Sequence, residues 1–244
     1  KKNRADAWSG LLVASYQLTD RSRVYVRYGS MARFPSIHEG ASEMRGIYAS
    51  NNKLDKPERN ETWEVGYTYN FSGLLPSLRL ADAKISYFDT TIHDFYDRTI
   101  LLQGIQFDRK LMRGIELQGR ADTGRFYGNL GVTYLLQQDM CDKDYAVQLS
   151  PARQRIPECM PGGFTNTLSF ISLQPEYSLT LDLGTRLFNQ KLDLGTRLRY
   201  HSRAENDKMD SLLKAGVSEA YTGMIRPYYW DPVKLVDLYA EYQF

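Results

Sequence analysis

The fold class is decided by the stretch Val236-Asp237-Leu238-Tyr239-Ala240-Glu241-Tyr242-Gln243-Phe244. Apolar and polar side chains alternate along it, which predicts an extended strand with one apolar and one polar face. We expect such a strand to close a transmembrane β-barrel, in which the apolar face contacts lipid. The alternative is an ordinary half-buried strand at the end of a soluble domain.

The composition is compatible with a barrel. The chain has 244 residues, 42% of them hydrophobic, with a mean hydropathy of -0.49. No stretch approaches the roughly 20 apolar residues of a membrane helix, but a barrel strand alternates polar and apolar residues and needs no such stretch. The 18 tyrosines are typical of aromatic girdles at membrane interfaces. A net charge of +2 does not indicate nucleic-acid binding.

The beginning of the chain and its cysteines both fit an exported protein. The sequence starts at Lys1 without a signal peptide, so we expect it to be part of a longer polypeptide, or a trimmed one, whose targeting segment lies elsewhere. Cys141 and Cys159 are the only cysteines, and in an oxidising compartment they are expected to form a disulfide. A metal pair and two free thiols are the alternatives.

Alternation recurs along the chain and is clearest in a duplicated heptapeptide. Leu-Asp-Leu-Gly-Thr-Arg-Leu occurs at residues 181–187 and again at 192–198, separated by only four residues. Two such copies joined by a tight turn predict a β-hairpin. Its leucines are expected to face lipid, because a lipid-facing arginine near the midplane would cost roughly 2–4 kcal/mol.

The same reasoning predicts nine strands with alternating connections. The predicted strands are 8–18, 22–30, 61–71, 79–91, 111–121, 125–137, 176–187, 192–201 and 233–244. Short connections fall near 19–21, 72–78, 122–124 and 188–191, and long ones near 31–60, 92–110, 138–175 and 202–232. Short periplasmic turns and long extracellular loops are typical of outer-membrane barrels. A further strand at residues 164–173 would break this alternation of short and long connections. We therefore assign these residues to a loop, with a strand extension above the membrane as the other possibility.

Several segments resemble the C-terminal part of a TonB-dependent outer-membrane receptor. They are Tyr25–Ser36 with its Arg-x-Pro-Ser element, Leu54–Tyr67 with Pro-Glu followed by Glu-x-Gly, Ile85–Phe95, and Arg113–Gly119. The terminal Tyr242 and Phe244 resemble the closing signal of bacterial outer-membrane barrels. The order and spacing of these segments cover most of the chain.

The resemblance implies an all-β fold, a transmembrane antiparallel β-barrel of 22 strands with an N-terminal plug. Residues 1–244 would then supply about nine C-terminal strands, without the plug or the N-terminal strands. It also implies residence in the bacterial outer membrane, contact with its lipid, and assembly by the barrel assembly machinery. Energy would come from the TonB complex, which would act through the missing plug.

A narrower resemblance points to receptors that take up haem, including those that obtain it from a haem carrier protein or hemoprotein. Two motifs are partly matched, through Arg33 and Pro35 in the first and Asn51 and Leu54 in the second, and His38 is the one histidine between them. Imidazole is a good axial ligand for haem iron, so His38 is the candidate ligand. Arg33 and Pro35 are expected to shape the loop root. The other candidate ligands are His93, His201 and Tyr48.

Haem would be the transported ligand and not a prosthetic group. A ferric-siderophore receptor is the alternative of the same class, and a passive porin or adhesin barrel is the alternative of another class. A soluble β-sandwich binding module is disfavoured by the apolar faces of the strands. The chain has no Gly-x-Ser-x-Gly, His-Glu-x-x-His or phosphate-loop pattern, and we predict that it is not an enzyme.

Overall fold

The computed structural model describes residues 6–36, 56–74, 76–99, 102–150, 156–164, 167–205 and 229–244. The elements in chain order are β1 (Gly10–Thr19), β2 (Ser22–Arg33), β3 (Glu58–Asn70), β4 (Leu80–Arg98), β5 (Gly104–Asp122), β6 (Phe126–Cys141), α1 (Lys143–Leu149), β7 (Cys159–Pro161), α2 (Leu168–Ile171), β8 (Tyr177–Leu187), β9 (Leu192–His201), β10 (Ala204–Glu205), β11 (Tyr229–Trp230) and β12 (Val233–Tyr242). Neither helix in this described part of the chain has the length and hydropathy of a membrane-spanning helix.

The nine long strands form one antiparallel sheet in the order β1-β2-β3-β4-β5-β6-β8-β9-β12. Each long strand therefore pairs with the long strands before and after it in sequence, which is the up-and-down arrangement predicted. The short strand β7 pairs with β6, and β10 pairs with β11 in a separate two-stranded sheet. Strands β1 and β12 are the two edges of the main sheet, so these nine strands do not close a barrel by themselves.

The predicted strand positions are confirmed within a few residues, except around the second long connection. The sequence predicted a loop at 92–110, whereas β4 continues to Arg98 and β5 begins at Gly104. Paired strands extend the ladder from His93 opposite Arg109 to Arg98 opposite Gly104. The connection is therefore a long two-stranded arm, hereafter the β4–β5 arm. The alternation that marks a membrane strand is not required there, because the arm lies beyond the apolar surface of the sheet.

One face of the sheet is apolar and carries two rows of aromatic side chains. The row near the long connections contains Tyr28, Trp63, Tyr87, Tyr134, Tyr177 and Tyr200, and the row near the short connections contains Tyr16, Tyr69, Phe126 and Tyr242. From Trp63 to Tyr69 on β3 is six residues, and from Phe126 to Tyr134 on β6 is eight. At ~3.3 Å per residue the rows lie about 20–27 Å apart along the strands. Two aromatic rows that flank an apolar band are typical of a membrane barrel.

The opposite face is polar and is crossed by ion pairs between neighbouring strands. Asp82 and Arg120 are 2.6 Å apart, Asp182 and Arg197 are 2.7 Å apart, and Lys84 lies 2.9 Å from Glu64. The first two pairs and Lys84 line a concavity of about 830 Å³ together with Gln118, Thr180 and Arg199. The charges therefore neutralise one another along the face that was predicted to line the barrel interior.

The duplicated heptapeptide forms the predicted hairpin and pairs with itself. Because the two copies run antiparallel in register, Asp182 lies opposite Arg197, Gly184 opposite Gly195, and Arg186 opposite Asp193. Each glycine is covered by a tyrosine ring from the strand on its other side, Tyr127 over Gly184 and Tyr239 over Gly195. The two tyrosine hydroxyl oxygens lie 2.8 Å apart, and Tyr239 donates to Asp182 at 3.0 Å.

A small hydrophobic core lies next to the β4–β5 arm and is stapled by the predicted disulfide. Cys141 on β6 and Cys159 on β7 are bonded, and neither cysteine is free. The core, hereafter the outer cluster, consists of Ile105, Phe107, Met140, Tyr145, Ala146, Leu149, Ile156, Met160 and Phe164. The rings of Phe107, Tyr145 and Phe164 are packed pairwise with centroids 5.2–5.5 Å apart. In the described residues of the predicted 164–173 loop, Thr167 makes an isolated bridge to Thr99, and Leu168–Ile171 form α2 in place of a strand.

Candidate functional site

The connection between β2 and β3 was predicted to bind the ligand, and its described ends form a polar cluster around the buried carboxylate of Glu58. His38, Tyr48, Asn51 and Leu54 lie outside the described residues, and their predicted roles stay predictions. Arg33 is the last residue of β2, and Pro35 follows it outside any strand or helix. The role of Arg33 and Pro35 in shaping the loop root likewise stays a prediction.

Arg33 is held by a carboxylate that sequence reasoning gave no role. Glu58, the first residue of β3, pairs with Arg33 in the ladder, and the Arg33 Nη2 donates to Glu58 Oε2 at 3.0 Å. The Nε of Arg33 lies 3.4 Å from Glu58 Oε1, so the guanidinium contacts both oxygens. The Glu58 side chain is only 11% exposed. Such a two-point contact is the favoured geometry between arginine and a carboxylate.

Tyr96 on β4 completes this cluster. Its backbone N–H donates to Glu58 Oε2 at 3.1 Å, and its ring lies 5.0 Å from the Arg33 guanidinium carbon. Its hydroxyl donates to the carbonyl oxygen of Lys56, just before β3. Arg33, Glu58 and Tyr96 therefore connect the end of β2, the start of β3 and the β4–β5 arm, and we call them the root cluster.

Two further contacts fix the chain at Lys56 to the arm. The Gln106 side-chain amide donates to the carbonyl oxygens of Lys56 at 3.0 Å and Asp94 at 2.7 Å. The Lys56 ammonium lies 3.3 Å from Asp94 Oδ1. Asp94 has a positive φ of 50°, a conformation that aspartate tolerates better than most residues. The approach to β3 is thus held by residues on both strands of the arm.

Lys110 on β5 adds a partly buried cation beside the root cluster. Ile115 on the same strand pairs with two tyrosines of the aromatic row near the long connections. Lys110 lies five residues from Ile115, towards the β4–β5 arm. It is therefore outside the membrane-spanning part of the strand. Its ammonium nitrogen is 4.7 Å from the centre of the Phe95 ring. Burial lowers the pKa of Lys110, while the carboxylates of Asp97 and Glu58 act in the opposite direction.

The structure does not bring the described histidines together. The His93 Nε2 lies 3.4 Å from Glu61 on β3, and the His201 Nδ1 lies 2.9 Å from the Ser178 hydroxyl on β8. Within the described ranges, no group of three or more histidine, cysteine, aspartate or glutamate residues could hold a metal ion.

The proposed closing signal lies at the exposed edge of the sheet. Tyr242 pairs with Leu192, and its ring contacts that of Phe244 with centroids 5.2 Å apart. Phe244 is fully exposed on this edge. Its recognition by an assembly factor stays a prediction.

Comparison with known families gives a match over the whole chain. The family described as "TonB dependent receptor-like, beta-barrel" matches residues 1–244. The chain is 32% identical over 257 residues to the "Hemophilin receptor" of Acinetobacter baumannii, with 99% of this chain and 24% of that protein covered. It is 30% identical over 113 residues to the "Hemin receptor" of Yersinia pestis, with 41% of this chain and 17% of that protein covered.

Solved structures show the same fold at lower identity. The siderophore receptor PirA from Acinetobacter baumannii superposes with a TM-score of 0.61 at 14% identity, over 98% of this chain and 35% of that chain. At this identity the likeness shows the fold alone. The chain therefore spans 24% and 17% of the two curated relatives and 35% of this structural neighbour.

Proposed function

The chain belongs to the TonB-dependent receptor β-barrel family, and from this premise we propose that it is the C-terminal part of the barrel of a haem-uptake receptor. The family consists of outer-membrane receptors and not of enzymes. The observation that carries the proposal is the 32% identity to a Hemophilin receptor, which extends over 99% of the chain. The 30% identity to a Hemin receptor over part of the chain supports the same ligand class.

In this proposal haem is the cargo, captured on the extracellular side and moved through the barrel. TonB-coupled energy would enter through a plug domain supplied by another part of the full-length receptor. A haem carrier protein or hemoprotein would deliver the haem. The polar face would line the interior of the barrel, and the apolar face with its two aromatic rows would contact lipid.

The predicted capture region is the connection between β2 and β3. Its candidate axial ligand is His38, since a neutral imidazole binds haem iron well. The root cluster supports this location because it holds both ends of the connection with an ion pair to the buried Glu58 carboxylate and a backbone hydrogen bond. A capture site needs such support, because binding is weakened whenever the ligand group must first be ordered.

A haem titration of the full-length receptor in detergent, followed by Soret absorbance, tests the proposal. We expect saturable binding with a six-coordinate spectrum that weakens in His38→Ala and not in His93→Ala or His201→Ala. Saturable binding that His38→Ala leaves unchanged would retain haem and move the axial ligand elsewhere. A receptor that shows no saturable haem binding would contradict the proposal, and uptake of an iron-loaded siderophore by the same receptor would then identify the alternative.

A further inference from the structure

The polar face of the sheet becomes apolar on β4 and β5 towards the long connections. Lys84 on β4 lies on this face, and Phe88 and Ile92 follow it on the same face, four and eight residues further along the strand. Met112 on β5 pairs with Thr90, between these two side chains, and points to the same side of the sheet. Because a barrel interior is usually polar, three neighbouring apolar side chains on this face suggest a specific use.

One cation lies among these apolar side chains. Lys110 pairs directly with Ile92, so it shares their face of the sheet. We call Phe88, Ile92, Lys110 and Met112 the mouth patch. Each of these side chains is half-buried and keeps part of its surface open. The patch extends about 13 Å along β4, since Phe88 and Ile92 are four residues apart at ~3.3 Å per residue, and Lys110 lies at its outer edge.

The Lys110 ammonium has no carboxylate partner in the part of the chain that the structure describes. It lies over the Phe95 ring, and the charges of Asp97 and Glu58 act on it without a hydrogen bond. Glu58 is engaged with Arg33. Asp97 accepts from two backbone N–H groups. A partly buried ammonium loses favourable hydration, so an anionic group that reached Lys110 would offset this loss.

We propose that the mouth patch binds the cargo directly, with an apolar ring system on Phe88, Ile92 and Met112 and a carboxylate paired with Lys110. This inference rests on the proposed function, because haem is a large apolar macrocycle that carries propionate carboxylates at its edge. The apolar side chains would contact the face of the macrocycle, and the ammonium would fix its orientation through one edge. The patch would act in addition to the axial ligand of the iron.

Haem and its dimethyl ester, in which the carboxylates are masked, separate the two parts of the patch. We expect Lys110→Met in the full-length receptor to weaken haem binding by about 10-fold, because a hydrogen bond between charged groups is lost. Binding of the ester should be unchanged in this variant. Lys110→Arg keeps the charge and should keep the preference of the receptor for haem over the ester. Titrations in detergent, followed by Soret absorbance, measure both ligands, and Lys110→Gln carries the test if Lys110→Met proves unstable.

Met112→Gln tests the apolar part of the patch. Glutamine is similar to methionine in length and shape, but it places a polar amide against the macrocycle. We expect haem and its ester to bind about 4-fold more weakly to this variant, the equivalent of one buried methylene group. The loss should be the same for the two ligands, because Met112 does not contact the carboxylates.

Lys84→Met is the matched control for the loss of charge. It removes a lysine from the same face of β4, but Lys84 already has a partner, Glu64, at 2.9 Å. In this variant Glu64 keeps the Tyr25 hydroxyl and the Arg27 guanidinium as partners. We expect Lys84→Met to bind both haem and the ester with wild-type affinity.

The outcomes distinguish this inference from the proposed function. If Lys110→Met lost affinity for haem and for the ester by the same factor, Lys110 would have a structural role only, and the inference would be wrong. Wild-type affinities in both Lys110→Met and Met112→Gln would show that another occupant, such as the plug domain, covers the patch, and would also overturn it. In each of these cases the receptor still binds haem. Failure of the wild-type receptor to bind haem would overturn the proposed function and the inference together.

Discussion

Glycine is required at positions 184 and 195 because a tyrosine ring occupies the space above each α-carbon. A Cβ atom at Gly184 would lie 2.1 Å from Tyr127 Cζ, and one at Gly195 would lie 2.2 Å from Tyr239 Cζ. The rings cover glycines that would otherwise expose the backbone, an arrangement that also stabilises glycines in designed sheets. The repeated Leu-Asp-Leu-Gly-Thr-Arg-Leu thus supplies two glycines, two carboxylates and two arginines to one cluster.

Replacement of Gly184 by alanine should therefore displace Tyr127 and break its contacts with Asp193 and Tyr239. We expect the free energy of unfolding to fall by about 1–3 kcal/mol, the usual cost of overpacking. Denaturant unfolding of the full-length receptor in detergent measures this change. Gly131→Ala is the control, since a Cβ at Gly131 meets nothing within 4 Å. Equal stability of the two variants would contradict the explanation.

For single residues, a role could be predicted from the sequence where it depends on residue type and local pattern. It could not be predicted where it depends on partners that are distant in the chain. The cysteine pair was predicted from composition and compartment, and it is present. Glu58 was visible as part of a motif, but its burial depends on Tyr96, which lies 38 residues away and joins it only through the β3–β4 pairing. No local pattern predicts that Tyr96 will donate its backbone N–H to this carboxylate.

The short helix α1 depends on its N-cap, Asp142, which follows directly after the disulfide. The Asp142 side chain accepts from the Tyr145 N–H at 2.7 Å and from the Asp108 N–H at 3.3 Å. Burial raises the pKa of the Asp142 carboxyl, the neighbouring charges of Asp108 and Asp144 raise it further, and the two N–H donors oppose the shift. The folded protein therefore binds this proton more tightly than the unfolded chain does.

The sign of the pH effect follows from this difference. Between the ordinary aspartate pKa of about 3.9 and the raised value, this carboxyl makes stability decrease as the pH rises, and above that window the penalty is complete. Asp142→Asn removes the charge and keeps an acceptor for the Tyr145 N–H. We expect wild type to gain stability relative to Asp142→Asn as the pH falls from 7 towards about 4.

Hydrogen exchange of the Tyr145 amide in the full-length receptor measures this local stability. Asp142→Ala is the control: it loses the cap, and we expect it to be about 1 kcal/mol less stable than Asp142→Asn at every pH. A constant difference between wild type and Asp142→Asn across that pH range would show that the carboxyl does not titrate differently in the folded state.

Among the elements, the membrane strands were predictable and the outer elements were not. Alternation between lipid and polar interior gives each membrane strand a period of two, which is visible in a single sequence. The β4–β5 arm and the outer cluster lie beyond that environment, so no such period is imposed on them. Their core instead joins Phe107, Tyr145 and Phe164, whose contacts span three separate segments. The alternation of short and long connections predicted the correct number of long strands. It could not indicate how far each strand extends above the membrane.

For the molecule as a whole, the two faces of the sheet define its orientation towards lipid. Val132 on β6 pairs with Leu117 and Leu179 on the apolar face, between Phe126 and Tyr134 of the aromatic rows. Asn129, three residues earlier, pairs with Arg120 and Asp182 on the polar face. The same strand therefore offers a lipid-facing and an interior position within three residues of each other.

An arginine introduced at each position tests this assignment. We expect Val132→Arg in the full-length receptor to lower the free energy of unfolding in lipid bilayers by roughly 1–2 kcal/mol, because its charge would lie inside the apolar band, between the bilayer midplane and the aromatic row at Tyr134. Asn129→Arg should cost far less, because its guanidinium would remain among polar groups and lie next to the Asp182 carboxylate on the neighbouring strand. Reversible unfolding in vesicles measures both variants. If Asn129→Arg were the more destabilising of the two, the polar face would be the one in contact with lipid, and the barrel interior would have to lie on the other side of the sheet.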